Sequence, residues 1–190
     1  MSLAPCAKKL NIYNLYDIMD KNNFYKILFS EKIEELKIHN GLILKLLNSL
    51  KNDDLRMAPF ENAGTVGKQF RHIITINEAY YYAIISGNLD FYVDSINHSI
   101  ENNAIDLTEN FKKINENIIN LIENMDIYRL NEKYINCKKS AKYIDKNYVS
   151  PNEIITYITE HTVFHEGELT LYIRSLHKNF PENWMIWGLK

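Results

Sequence analysis

Residues 150–173, SPNEIITYITEHTVFHEGELTLYI, begin with the strongest helix-start signal in the chain. Ser150 can cap the first turn, Pro151 suits the first helical position, and Glu153 can reach back to the cap. The apolar spacing beyond this start is that of a long amphipathic helix. It predicts a last helix that continues to about His177.

Three earlier segments have the same apolar spacing and are also expected to be long helices. They run from about Glu31 to Lys51, Thr65 to Ser86 and Leu107 to Met125. Ser30 is the predicted N-cap of the first helix, and Gly87 is a natural stop for the second. Asp106 and Glu109 form a capping-box pattern at the start of the third.

The remaining segments predict shorter elements around these four helices. Residues 10–29 are expected to hold one or two short helices, and residues 88–98 another. Residues 126–149 form a long connection whose Tyr and Ile content permits a short hairpin. Long helices with one apolar stripe each pack as a bundle. We therefore predict an all-α four-helix bundle with short extra N-terminal helices and a long connection before the last helix, in one domain over residues 1–190.

Composition narrows the classes of function. The net charge of −2 predicts no large basic surface and argues against a nucleic-acid partner. No stretch is apolar and long enough to cross a membrane. Cys6 and Cys137 form no CxxC pair, and the N-terminal residues lack the apolar block of a signal peptide. These features favour a cytoplasmic protein with reduced thiols.

The core-facing stripe of the last helix contains polar residues. Helix geometry places residues three and four apart on one face. Taking His161 as reference, that face contains Ile154, Tyr157, Ile158, Phe164, His165, Glu168, Leu169 and Tyr172. Burying three polar groups together is costly unless each finds a partner. A metal ion is a good partner for imidazole.

The second helix carries a further histidine on its inward face. His72 shares that face with Gln69 and with the small residues Ala79 and Ala83, which leave room for a site. Two histidines from one helix and one from another form a three-nitrogen set. Catalytic zinc sites commonly use three protein ligands and leave one position open. The alternative for each histidine is an ordinary hydrogen bond in the core.

Two motif-like stretches do not support other functions. HTVFH (161–165) is not the HExxH of zinc proteases, because Thr162 stands where the catalytic glutamate is needed. NAGTVGKQ (62–69) suggests a phosphate-binding loop. Gln69, however, follows Gly67-Lys68 where Ser or Thr is required.

Two stretches, VGKQFRHIITINEAYYY (66–82) and ITYITEHTVFHEGELTLYI (155–173), resemble the DinB-like (YfiT-like) family of metal-dependent four-helix-bundle proteins. The resemblance implies that His72, His161 and His165 hold a divalent metal, zinc or nickel. It also implies a small-molecule substrate, such as a low-molecular-weight thiol, and thiol S-transferase-like or hydrolase-like chemistry in which the metal activates a water or thiol nucleophile. Glu166 and Glu168 depart from the residues usual in the family, so the reaction is left open.

Three further polar residues lie close to the histidines in the predicted bundle. Glu168 lies one turn beyond His165 and is expected to act as a general base or to orient a histidine, unless it is an ordinary, partly exposed helix carboxylate. Glu166 is expected to face solvent. His39 lies at the edge of the first helix's stripe, beside Asn40.

A non-catalytic role is the alternative for the whole chain. The histidines would then form a hydrogen-bonded network or hold a structural metal, in a bundle that serves as an interaction or dimerisation module. The run Tyr80–Tyr82 and the pair Trp184 and Trp187 are candidate contacts of a homodimer. The two tryptophans are alternatively expected to cover the end of the bundle.

Overall fold

The computed structural model describes residues 21–91 and 98–189 of the chain. Within these residues, the helices are α1 Lys21–Asn48, α2 Asn52–Leu55, α3 Val66–Ser86, α4 Ala104–Glu123, α5 Ile127–Asn131 and α6 Pro151–Ser175. The four long helices are α1, α3, α4 and α6. They confirm the predicted all-α four-helix bundle.

The start of α6 is as predicted. The hydroxyl of Ser150 accepts a hydrogen bond from the backbone N–H of Glu153 at 3.2 Å, and the carboxylate of Glu153 accepts one from the backbone N–H of Ser150 at 2.9 Å. Pro151 is the first helical residue. The two reciprocal bonds satisfy backbone groups that have no partner inside the helix. The helix ends at Ser175, two residues before the predicted His177.

The predicted start of the first helix, at Glu31 with Ser30 as N-cap, is wrong. Ser30 lies inside α1, and its hydroxyl donates to the carbonyl of Ile27 at 2.8 Å. A serine that bonds back to a carbonyl of the preceding turn is compatible with a helix interior, so serine alone does not mark a helix start. Residues 21–29 therefore belong to α1 rather than to a separate short helix. Residues 10–20 lie outside the described residues.

The N-terminal caps of α3 and α4 are formed by hydrogen bonds between residues that are close in sequence. The Thr65 hydroxyl accepts from the backbone of Lys68 at 3.1 Å, and Gly87, with φ of 74°, ends α3 in the left-handed conformation that glycine adopts easily. Helix α4 begins earlier than predicted. Asn103, rather than Asp106, is its N-cap and accepts from the backbone N–H of Ile105 at 3.0 Å.

The long helices form a closed ring of neighbours. Helix α1 packs against α4 and α6, and α3 packs against the same two helices. The residues at the centre of the bundle include Leu36, Ile43 and Leu47 of α1, Phe70, Ile73 and Ile74 of α3, Leu107, Phe111 and Ile118 of α4, and Ile154, Ile158 and Leu169 of α6. Because α6 touches both α1 and α3, two of its faces are buried.

The long connection before α6 contains a small sheet. Strands β1 Ile135–Asn136 and β2 Tyr148–Val149 pair antiparallel, which is the short hairpin that its composition permitted. The predicted helix over residues 88–98 is not formed at residues 88–91, where the backbone of Leu89 donates to the carbonyl of Asn136 at 2.9 Å. Residues 92–97 lie outside the described residues, and a 3₁₀ helix spans His98–Asn102.

The chain after α6 folds back on the bundle. A 3₁₀ helix spans Glu182–Trp187, and the indole N–H of Trp184 donates to the carbonyl of Leu42 at 3.1 Å. The side chain of Trp184 is buried and stacks near Phe180. Trp184 therefore covers the bundle, which leaves it unavailable to a partner chain. No helix among the described residues is long and apolar enough to cross a membrane.

Candidate metal centre

The three predicted histidines meet between α3 and α6. His161 and His165 lie one turn apart on α6, and His72 projects from α3. The Nε2 atom of His161 is 3.0 Å from that of His165 and 3.3 Å from that of His72. Each residue offers a nitrogen within 4.8 Å of the other two. The three imidazole rings, which were expected to converge from two helices, therefore lie together at one point.

These nitrogens fit a divalent metal. With zinc–nitrogen bonds of about 2.0–2.1 Å and a tetrahedral arrangement, two ligand nitrogens are about 3.3 Å apart. The observed separations of 3.0 and 3.3 Å are close to that value. Among the described residues, no fourth His, Cys, Asp or Glu joins the group. Such a set leaves a coordination position for something other than protein.

The site lies at the edge of the bundle rather than at its centre. His165 is buried, His161 is half-buried and His72 is exposed. The prediction that His72 is fully inward is therefore corrected: its ring reaches the other two histidines, but the residue remains in contact with solvent. This exposure gives a small solute access to the three nitrogens.

The surroundings of the three histidines lower their pKa values and so favour the neutral form of each ring. Loss of water around the ring, and then the neighbouring His165, lower the pKa of His72 to about 4. The same causes lower the pKa of His161 to about 3. Burial also lowers the pKa of His165, against the opposing effect of Glu168. Neutral imidazole is the form that binds metals, so the free site is ready to bind at neutral pH.

Glu168 holds one of the histidines in place. The Oε2 atom of Glu168 lies 2.6 Å from the Nδ1 atom of His165. A carboxylate there fixes the proton on Nδ1 and leaves Nε2 as the free electron-pair donor, an arrangement common behind metal-bound histidines. By contrast, the Nδ1 atom of His161 is buried and has no hydrogen-bond partner among the described residues.

The expectation that Glu166 faces solvent is wrong. Glu166 and His39 are both buried, at 7% exposure each, and the Nδ1 atom of His39 lies 3.1 and 3.0 Å from the two carboxylate oxygens of Glu166. Burial raises the pKa of Glu166, and His39 opposes that rise. The pair joins α1 to the metal-site helix directly behind His165. The position of His39 beside the apolar stripe of α1 was the one sequence signal that pointed to it.

Phe164 and Gln69 also lie near the site, and Phe164 differs from its sequence expectation. Phe164, which was expected in the core-facing stripe, is 63% exposed. Gln69 donates through Nε2 to the hydroxyl of the buried Tyr172 at 3.0 Å, so it belongs to a hydrogen-bond network. Tyr172 is therefore a core residue with a satisfied hydroxyl.

Two adjoining clefts, of about 420 and 430 Å³, open beside the histidines. Both are lined by Tyr80, Tyr143, Ile144 and His161. His72 also lines the first cleft, and Tyr157 the second. Tyr143 and Ile144 come from the long connection, and sequence periodicity gave no sign of their part in the site. The clefts are the natural place for a small molecule that meets the metal.

The fold and the site together define a class: a four-helix bundle with a three-histidine group, from two helices, that can hold a metal ion. The model of the DinB family matches residues 19–181, and the chain belongs to the DinB family.

A solved structure agrees with that assignment. The chain is similar to a DinB-like protein, YjoA, from Bacillus subtilis, with a TM-score of 0.61 and 18% identity over 80% of this chain and 97% of that one. At this identity the likeness shows the fold alone. No curated protein matches the chain.

Proposed function

We propose that the protein is a metal-dependent enzyme in which His72, His161 and His165 hold a zinc or nickel ion. The observation that carries the proposal is the approach of three Nε2 atoms to within bonding reach of one ion, beside a cleft and at a solvent-accessible edge. We propose a small-molecule substrate, with S-transferase-like or hydrolase-like chemistry.

A divalent metal in this site would lower the pKa of a bound water or thiol and so supply a nucleophile near neutral pH. The chain's own contribution is to present three neutral imidazoles. Partial loss of water around their rings favours the uncharged form. Because the imidazoles project from two helices of a packed bundle, their positions are set before the metal binds.

Glu168 is the residue that we propose to assist this chemistry. Its carboxylate accepts the Nδ1 proton of His165 at 2.6 Å, and it does not line either cleft. This contact favours an orienting role over direct proton transfer to substrate. The expected consequence is that Glu168→Gln weakens metal affinity about 10- to 100-fold, the range found for comparable outer partners of metal ligands.

The alternative is a metal that only braces the fold. An open coordination position distinguishes the two, because a structural site is closed by a fourth protein ligand. The test is to load the protein with cobalt and add 2-mercaptoethanol. The proposal predicts a new sulfur-to-cobalt absorption band, and an unchanged spectrum would contradict it.

His165→Ala provides the second arm of this test. If the site is functional, the variant loses the metal and keeps the helical fold, as measured by circular dichroism. Global unfolding of the variant would instead indicate a structural brace. Zinc- and nickel-loaded protein would then be assayed for thiol conjugation and for hydrolysis, with His165→Ala as the inactive control.

A further inference from the structure

The wall of the cleft beside the metal centre is largely aromatic. The rings of Tyr80 and Phe91 meet edge to face with centroids 5.3 Å apart, and the rings of Phe91 and Tyr143 do the same at 5.7 Å. All three line the cleft that His72 and His161 also line. Ring faces and edges of this kind bind flat apolar groups better than polar ones.

Tyr80 adds a polar group to this wall. The residue is only 5% exposed, and its hydroxyl has no hydrogen bond to any of the described residues. The Oη atom of Tyr80 is not among the buried unpaired side-chain atoms of the described residues, so solvent in the cleft reaches it and a bound molecule can take the place of that solvent. Burial raises the pKa of Tyr80, which keeps the hydroxyl protonated and able to donate at neutral pH.

Helix geometry sets where this hydroxyl lies relative to the metal centre. Tyr80 follows His72 by eight residues on α3, which is about 12 Å along the helix axis. Side chains in a helix lean toward its N-terminus, so the phenol of Tyr80 points back toward His72. His72, His161 and Tyr80 line one cleft, so a molecule with one end at the histidines can reach Tyr80 with its other end.

The charges around the cleft disfavour an anion at that other end. The lining cation, Lys146, is already paired with Glu153 at 2.9 Å. Asp145 and Glu160 also line the second cleft, and neither has an ion-pair partner among the described residues. Tyr80 lines this adjoining cleft too, so a carboxylate placed beside Tyr80 would be repelled by these two acidic residues, whereas an uncharged carbonyl would not.

We propose that the cleft binds an uncharged substrate whose flat, apolar part lies against Phe91 and Tyr143 and whose carbonyl oxygen, distant from the metal, accepts a hydrogen bond from Tyr80. This inference rests on the proposed metal centre. It assigns Tyr80 as a specificity-determining residue and names the class of substrate as uncharged aryl or other planar carbonyl compounds.

The test uses cobalt-loaded protein and three thiols that differ only at the far end: benzyl mercaptan, 4-(mercaptomethyl)benzamide and 4-(mercaptomethyl)benzoate. The sulfur-to-cobalt band gives the Kd of each. We expect the benzamide to bind about five-fold more tightly than benzyl mercaptan, the gain from one neutral hydrogen bond, and the benzoate to bind more weakly than the benzamide.

Tyr80→Phe keeps the ring and removes the hydroxyl. It should abolish the benzamide's advantage and leave the Kd of benzyl mercaptan unchanged. Tyr82→Phe is the matched control, because Tyr82 lies on the same helix with 57% of its surface exposed, and it should change none of the three. A second variant, Phe91→Leu, alters the aromatic wall of the same cleft. It should weaken the binding of all three aromatic thiols and leave the binding of 2-mercaptoethanol unchanged.

The two failures can be told apart. A protein that binds no cobalt, or binds cobalt without any thiol band, would overturn the proposed metal site and the inference with it. A protein that binds cobalt and all three thiols, with equal Kd values in the wild type and in Tyr80→Phe, would overturn the inference alone.

Discussion

The buried pair of His39 and Glu166 provides a quantitative test of how the metal-site helix is held against α1. We consider three variants: His39→Leu, Glu166→Leu and the double replacement. Each single change leaves a buried polar partner without its hydrogen bond, because both residues are only 7% exposed. Removing one partner of a buried pair typically costs about 3–5 kcal/mol, a large part of the roughly 5–15 kcal/mol that stabilises a domain.

The double variant should be more stable than either single variant. Two leucines of similar volume remove both members of the pair, and such apolar replacements are often neutral or stabilising. The coupling free energy between the two positions should therefore be about 2 kcal/mol or more. The measurement is urea unfolding of the metal-free protein in the presence of a chelator, followed by circular dichroism, with the slope of the transition checked for constancy.

The matched control for this cycle is the pair Lys37 and Glu123, which also joins α1 to a neighbouring helix. Its ammonium and carboxylate are 2.9 Å apart but both side chains are well exposed. Exposed pairs contribute little, so its coupling should be too small to resolve. The reasoning is refuted if the double variant of His39 and Glu166 is as unstable as the sum of the two singles.

Further predictions concern packing and pH. Gly67→Ala should destabilise the protein by about 2 kcal/mol or more, because the added Cβ would overlap the carbonyl of Glu101. Gly41→Ala has open space at its Cβ and should stabilise α1 by about 0.5–1 kcal/mol. Thermal unfolding measures both changes. The folded-state pKa values of His72 and His161, about 4 and about 3, lie below the ordinary value of 6.5. As pH falls from about 6.5 toward 4, the unfolded chain therefore takes up protons first, and the metal-free protein should lose stability. His161→Leu should show a shallower loss, and an equal or steeper one would contradict the sign.

The parts of the fold that could be predicted are those governed by local chemistry. The start of α6 depends on hydrogen bonds between Ser150 and Glu153, which are neighbours in sequence. The start of α1 could not be predicted in this way, because the hydroxyl of Ser30 bonds within the helix instead of capping it. The same residue type supports both arrangements, so a serine alone does not decide where a helix starts.

In the site, too, the residues that local helical spacing determines could be predicted, and those that depend on packing could not. His161 and His165 were predictable because helical spacing alone places them on one face, where two imidazoles can bind the same metal ion. The burial of Glu166 was not predictable, because a single apolar stripe predicts one buried face for α6, while the helix packs against two neighbours. Tyr143 reaches the cleft from the long connection, and no periodic pattern describes that kind of non-local contact.

The most direct test of the central claim is the metal content of protein purified without added metal or chelator, measured by elemental analysis. If three imidazoles from two helices bind one ion, the wild type should contain close to one zinc or nickel per chain, and His72→Ala should contain almost none while retaining its helical circular-dichroism spectrum. A wild type that takes up no divalent metal, even on titration, would contradict the account, as would a His72→Ala variant that keeps its metal.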